Sequence, residues 1–131
     1  MSVQRRWFEE VWNQGRESAI DELSEPDVIA HGLTDPGGQE VVGRDAFKAM
    51  FRAFRGALSE MHVEVEELIM QGDISVARCV VTGRHTGDGL GKEPKGRLLR
   101  FTGMSMVRER DGRIAEAWNN FDFATMFQQM E

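Results

Sequence analysis

The chain has 131 residues, 40% of them hydrophobic and 29% charged, which is enough for one domain with a core that needs no cross-links. Its net charge of -6 withholds the electrostatic driving force for nucleic acid or an anionic membrane surface, and the basic clusters at Arg5-Arg6 and Arg44/Lys48/Arg52/Arg55 have acids interleaved or nearby, so no nucleic-acid partner is expected.

"VQRRWFEEVWN" carries Val3, Trp7 and Val11 beside Phe8 and Trp12 at helical spacing, with charges on the opposite side. It holds no apolar signal core, and no run in the chain approaches a membrane span; a soluble, cytoplasmic protein is expected. Gly15 is a natural stop, and a short second helix around Ala19, Ile20 and Leu23 ends before Pro26. "DVIAHGL" reads as a strand with Ile29, His31 and Leu33 on one face, and "TDPGGQEVVG" as a turn-rich loop.

"RDAFKAMFRAFRGALSEM" is the clearest helix, with Phe47, Met50, Phe51, Phe54 and Leu58 as one apolar stripe that core packing alone explains. Two strands follow, "HVEVEELIM" and "ISVARCVVTGRHT", joined at Gly72-Asp73. The single cysteine, Cys79, lies within the second of them; it permits no intrachain disulfide and reads as a buried structural thiol, in keeping with a reducing cytoplasm. A Gly/Pro loop over 87–96 leads to the strand "RLLRFTGMSMVRER", an Asp111-Gly112 hairpin signal, the strand "RIAEAWNNFD" and a short last helix. Helices ahead of a long antiparallel meander predict an α+β fold, a curved sheet wrapped around a Phe- and Met-bearing helix with a cone-shaped hollow between them.

Several chemical motifs fail. The loop 87–96 matches neither a Walker loop nor a dinucleotide fingerprint and is expected to be a hairpin loop or pocket lip. His31, His62 and His85 lie on separate segments without ligand spacing, so no metal is expected, and no nucleophile elbow exists. Sorting strands by parity leaves one constellation. Trp118, Asn120 and Asp122 share a face; so do Met104 and Met106; so do Ile74, Val76, Arg78, Val80 and Thr82. If these faces turn inward, Arg78 requires a carboxylate, and Asp122 is the natural partner. The pair is then either a buried ion pair fixing the sheet or part of a reactive site, and His31 either a hydrogen-bonded interior histidine or a catalyst.

The order of elements resembles the nuclear transport factor 2-like superfamily, and within it the SnoaL-like polyketide cyclase branch. The resemblance spans almost the whole chain and rests on "VWNQGR", "VIAHG", "GRDAFKAMFRAF", the run Arg78 to Gly87, and D-G-[KR]-I-x-E-x-W-x-x-x-D from Asp111 to Asp122. It implies ring closure by aldol chemistry without metal or cofactor, with the last-strand carboxylate, here Asp122, moving the proton. Arg78 would tune that carboxylate, and His31 and Asn120 would orient the substrate or polarise its carbonyl. Trp12, Phe47, Met50, Phe51, Phe54, Met104, Met106 and Trp118 would form the wall around a hydrophobic small molecule. The limonene-type epoxide hydrolases offer a second mechanism through an Asp-Arg-Asp triad, but Val80 stands where one of those aspartates is needed. A non-catalytic ligand-binding or dimerisation module is the remaining alternative, and a homodimer is expected in either case.

Overall fold

The structure is a computed structural model describing residues 2–131. Helix α1 (Val3–Arg6) is capped by Ser2, whose Oγ accepts the Arg5 N–H at 3.1 Å. It runs straight into a π-helical segment, Trp7–Asn13, in which the Gln14 N–H reaches five residues back to the Glu9 carbonyl at 2.9 Å. The widened turn brings Trp7, Phe8, Val11 and Trp12 to one side, and all four are buried. Helix α2 (Ser18–Leu23) buries Ala19, Ile20 and Leu23.

Strand β1 (Ser24–Thr34) begins earlier than the sequence predicts, and a short β2 (Glu40–Val42) forms inside the stretch read as a loop. Helix α3 (Arg44–Ala57) follows, with Phe47, Met50 and Phe51 buried and Leu58 already in the next strand. The meander is β3 (Leu58–Gln71), β4 (Ile74–His85), β5 (Leu98–Arg110) and β6 (Arg113–Phe121), closed by α4 (Phe123–Gln129). Six strands form one sheet in the order β2-β1-β6-β5-β4-β3; β1 and β6 are parallel and every other pair is antiparallel. This is the expected α+β architecture: a curved, unclosed sheet with the helices in its concave face.

Register decides which side chains enter the cone. Ser105 lies opposite Asn119, Val107 opposite Ala117, and Gly103 opposite Phe121, and these positions face the helices. Ala77, Cys79 and Val81 of β4 are buried on the same side. The expectation that Trp118, Asn120 and Asp122 turn inward is therefore overturned. They occupy the convex face, or its edge, with Met104 and Met106. The physical reason is pattern. The helices pack on the face that carries Leu99, Phe101, Val107, Ile114 and Ala117, all buried, whereas on the opposite face Met104, Met106 and Trp118 are interleaved with Arg100, Thr102, Arg108, Glu116 and Asn120, and that mixed face is left outside.

A second break in parity falls at Gly32. Its φ is +82°, and a Cβ there would lie 1.9 Å from the Asn119 carbonyl oxygen. This kink separates His31, which faces outward, from Leu33, which turns in toward the hollow. The predicted common face for Ile29, His31 and Leu33 does not form.

Candidate functional site

The hollow between helices and sheet is a cavity of about 70 Å³. Its helical wall is Gln4, Trp7, Phe8 and Trp12 from the first helix and Phe47, Met50 and Phe54 from α3. The rings meet edge to face, Trp7 on Phe47 at 4.9 Å between centroids and Trp12 on Phe51 at 5.3 Å. Such pairs add about 0.5–1.5 kcal/mol each to what area burial supplies. Four of the sequence-predicted wall residues, Trp12, Phe47, Met50 and Phe54, line this cavity. Phe51 packs behind it against Trp12. Met104, Met106 and Trp118 lie on the other side of the sheet and do not line it.

At the wide end, Phe123 of α4 stands among Phe54, Phe101 and Phe121, with ring centroids 5.8, 6.0 and 6.2 Å away. The loop 87–96, expected as a possible pocket lip, contributes no lining residue; Leu90 packs against the core instead. Phe123 brings the start of the last helix to the lining instead. Phe121 can lie across β5 because residue 103 is glycine: a Cβ there would fall 2.2 Å from the ring.

One polar line crosses this apolar chamber. Gln4 Nε2 donates to the Ser105 carbonyl at 2.8 Å, Ser105 Oγ donates to Asn119 Oδ1 at 2.9 Å, and Asn119 Nδ2 donates to the His31 carbonyl at 3.0 Å. Gln4 is wholly buried, and its Oε1 has no hydrogen-bond partner. An unpaired buried acceptor of this kind costs about 1–3 kcal/mol. None of these three residues is among the sequence-predicted site residues. A signal existed, since Gln4 precedes Phe8 and Trp12 at helical intervals and so occupies a core position with an amide.

No Asp, Glu, His, Lys, Arg or Cys lines the cavity among the described residues. The sequence-predicted catalytic residues lie elsewhere. Arg78, Met104, Asn120 and Asp122 do come together, but in a groove on the convex face shared with Glu66 and Thr102. Arg78 pairs with Glu66 at 2.9 Å and lies 3.9 Å from Glu67, so Asp122 is not its carboxylate. Asp122 instead caps α4: its carboxylate accepts the Thr125 hydroxyl at 2.6 Å and the Thr125 N–H at 3.0 Å. Those bonds, the hydroxyl's foremost, hold its pKa below the ordinary aspartate value against a small opposing desolvation. Arg78, expected to tune this carboxylate, is not among the groups that set it.

His31 forms a second polar cluster, also outside. Nε2 meets Glu116 at 2.6 Å, Nδ1 meets Glu40 at 2.9 Å, and the ring stacks on Trp118 at 5.5 Å. The hydrogen bond to Glu116 is the main cause of a raised His31 pKa, with the charge of Glu40 adding to it. Cys79 is fully buried in β4, and burial pushes its thiol up to about 11, which suits a structural role. Among the described residues no group of three or more His, Cys, Asp or Glu is placed to hold a metal ion, and no helix is long and apolar enough to cross a membrane.

The fold has solved counterparts. TsrD from Streptomyces laurentii superposes with a TM-score of 0.82 at 20% identity, covering 98% of this chain and 91% of TsrD. A protein from Jannaschia sp. CCS1 that carries a SnoaL-like polyketide cyclase description superposes at 0.84 with 23% identity, over 98% of this chain and 88% of the other. IdmH from Streptomyces antibioticus is 27% identical with a TM-score of 0.81, over 97% of this chain and 94% of IdmH. No curated protein sequence matches the chain. The SnoaL-like polyketide cyclase pattern itself matches residues 2–130, and the chain belongs to that family.

Proposed function

We propose that this protein binds a hydrophobic small molecule inside the cone, and that any chemistry there proceeds through positioning rather than through a proton-transferring side chain. The observation that carries this reading is the lining, rich in Trp and Phe and free of acids and bases among the described residues. Membership of a polyketide cyclase family and the likeness to IdmH support a hydrophobic, ring-bearing ligand. A pocket of about 70 Å³ is smaller than such a ligand, so binding requires its lining to yield, and the Phe123 ring at the start of α4 is one side chain placed to do so.

A second reading has one observation in its favour. The convex groove gathers Arg78, Asn120 and Asp122, the residues that an acid/base mechanism on a carbonyl substrate would use. Against it, Asp122 is an exposed carboxylate of lowered basicity, already committed to Thr125. Asp122→Asn separates the two readings, because asparagine still caps a helix. On the cavity reading the variant retains ligand-dependent quenching of tryptophan fluorescence and any turnover of a panel of polyketide-like ketones. Loss of turnover with binding intact would favour the groove.

We also propose that the convex face pairs with a second copy of the chain. Ile69, Val76, Met104, Met106 and Trp118 leave an apolar band across it, with Ile69 63% and Met104 49% exposed. Bands of this kind on open sheets favour association.

A further inference from the structure

We infer that the cavity selects a neutral aromatic ligand bearing a hydroxyl or N–H donor, and that Gln4 receives that donor. The inference rests on the reading of the cavity as a small-molecule site. Gln4 is anchored by its own donor, Nε2 to the Ser105 carbonyl at 2.8 Å, which settles the orientation of the amide. Reversing it would set two carbonyl oxygens against each other. Oε1 therefore remains as an acceptor, fully buried and unpartnered, on a residue that lines the chamber.

No neighbouring polar group donates to Oε1. The Ser105 hydroxyl hydrogen goes to Asn119 Oδ1, and Asn119 spends an amide hydrogen on the His31 carbonyl. The buried group of this line left with no partner at all is an acceptor, Gln4 Oε1, while the Gln4 and Asn119 amides each have one donor placed and one hydrogen over. A ligand donor completes it, whereas a ligand carrying only ether or carbonyl oxygens leaves Oε1 unpaired. Charge is excluded by the same lining, because an ionised ligand would lose its water and find no counter-ion. Trp7, Phe8, Trp12 and Phe47 beside this line favour a flat ring. A site built to bond a ligand hydroxyl discriminates against its methyl isostere more sharply than a purely apolar pocket does.

Phenol and toluene form a shape-matched pair, and their dissociation constants follow from ligand-observed NMR with the intact protein and with Gln4→Met. The variant should weaken phenol about tenfold and leave toluene within about threefold. An equal effect on both, or none on phenol, overturns the inference. Should Gln4→Met not fold, wild-type protein still decides the matter through anisole, which keeps the ring and oxygen of phenol but not the donor. Phenol should bind the more tightly despite being the more polar; anisole binding as well or better overturns the inference while leaving the cavity reading intact. Failure of all three arenes to bind would remove both.

Discussion

The carboxylate of Asp122 spends its oxygens on Thr125 and His31 divides its ring between two glutamates, so the titratable groups singled out from the sequence are used structurally. For His31 the consequence is a pH dependence with a definite sign. Its folded-state pKa is raised above the unfolded value of about 6.5, so its contribution is complete below that pH and disappears as pH rises through the folded value. Thermal melts of wild type and His31→Gln should therefore differ most near pH 6 and converge in alkaline buffer; a gap that widened with pH would contradict this. Gly103 gives a steric counterpart. Gly103→Ala forces a methyl against the ring and Cα of Phe121 and should cost about 1–3 kcal/mol by urea denaturation. What a single sequence shows at this scale is residue type and spacing. It showed that Arg78 needs a carboxylate, but not that Glu66 across the β3–β4 pair would supply it, because register is a property of two strands.

Among the elements, the helices and four meander strands were legible because each carries its own period or turn signal. The α3 stripe buries Phe47, Met50 and Phe51, and the meander turns at Gly72-Asp73 and Asp111-Gly112 as expected. Strand β2 was not, since three residues behind Gly37-Gly38 carry too little pattern; burial of Val41 against the core makes the strand. The choice of concave face was also illegible. Both faces of β5 and β6 carry apolar residues, and it is the helices packing Trp7, Trp12 and Phe47 over the face of Phe101, Val107 and Ala117 that make it the inner one. How the first helix is held also emerged only in three dimensions. The Asn13 side chain donates to the Val63 carbonyl at 3.0 Å and accepts the Val63 N–H at 2.7 Å, pinning the helix to β3. Asn13→Ala leaves both backbone groups without that partner and should cost about 1–3 kcal/mol, read as a lower urea midpoint with unchanged slope.

At the scale of the molecule, the sheet separates two surfaces with different chemistry. Inside is a small aromatic chamber crossed by Gln4, Ser105 and Asn119; outside is a band of apolar and charged side chains with His31 and Trp118 at one end. The proposed dimer uses the outer surface. Light scattering at micromolar concentration should give twice the monomer mass, and Met104→Glu with Ile69→Lys should shift it toward monomer without altering ligand binding. A wild-type monomer would contradict the pairing.

The central claim is that ligand enters the concave side. The chain carries three tryptophans, of which Trp7 and Trp12 line the cavity and Trp118 lies across the sheet from it. Their indole N–H resonances in a ¹H–¹⁵N spectrum therefore report on the two surfaces separately. Titration with phenol should move the Trp7 and Trp12 signals and leave Trp118 in place, and a shift confined to Trp118 would contradict the account.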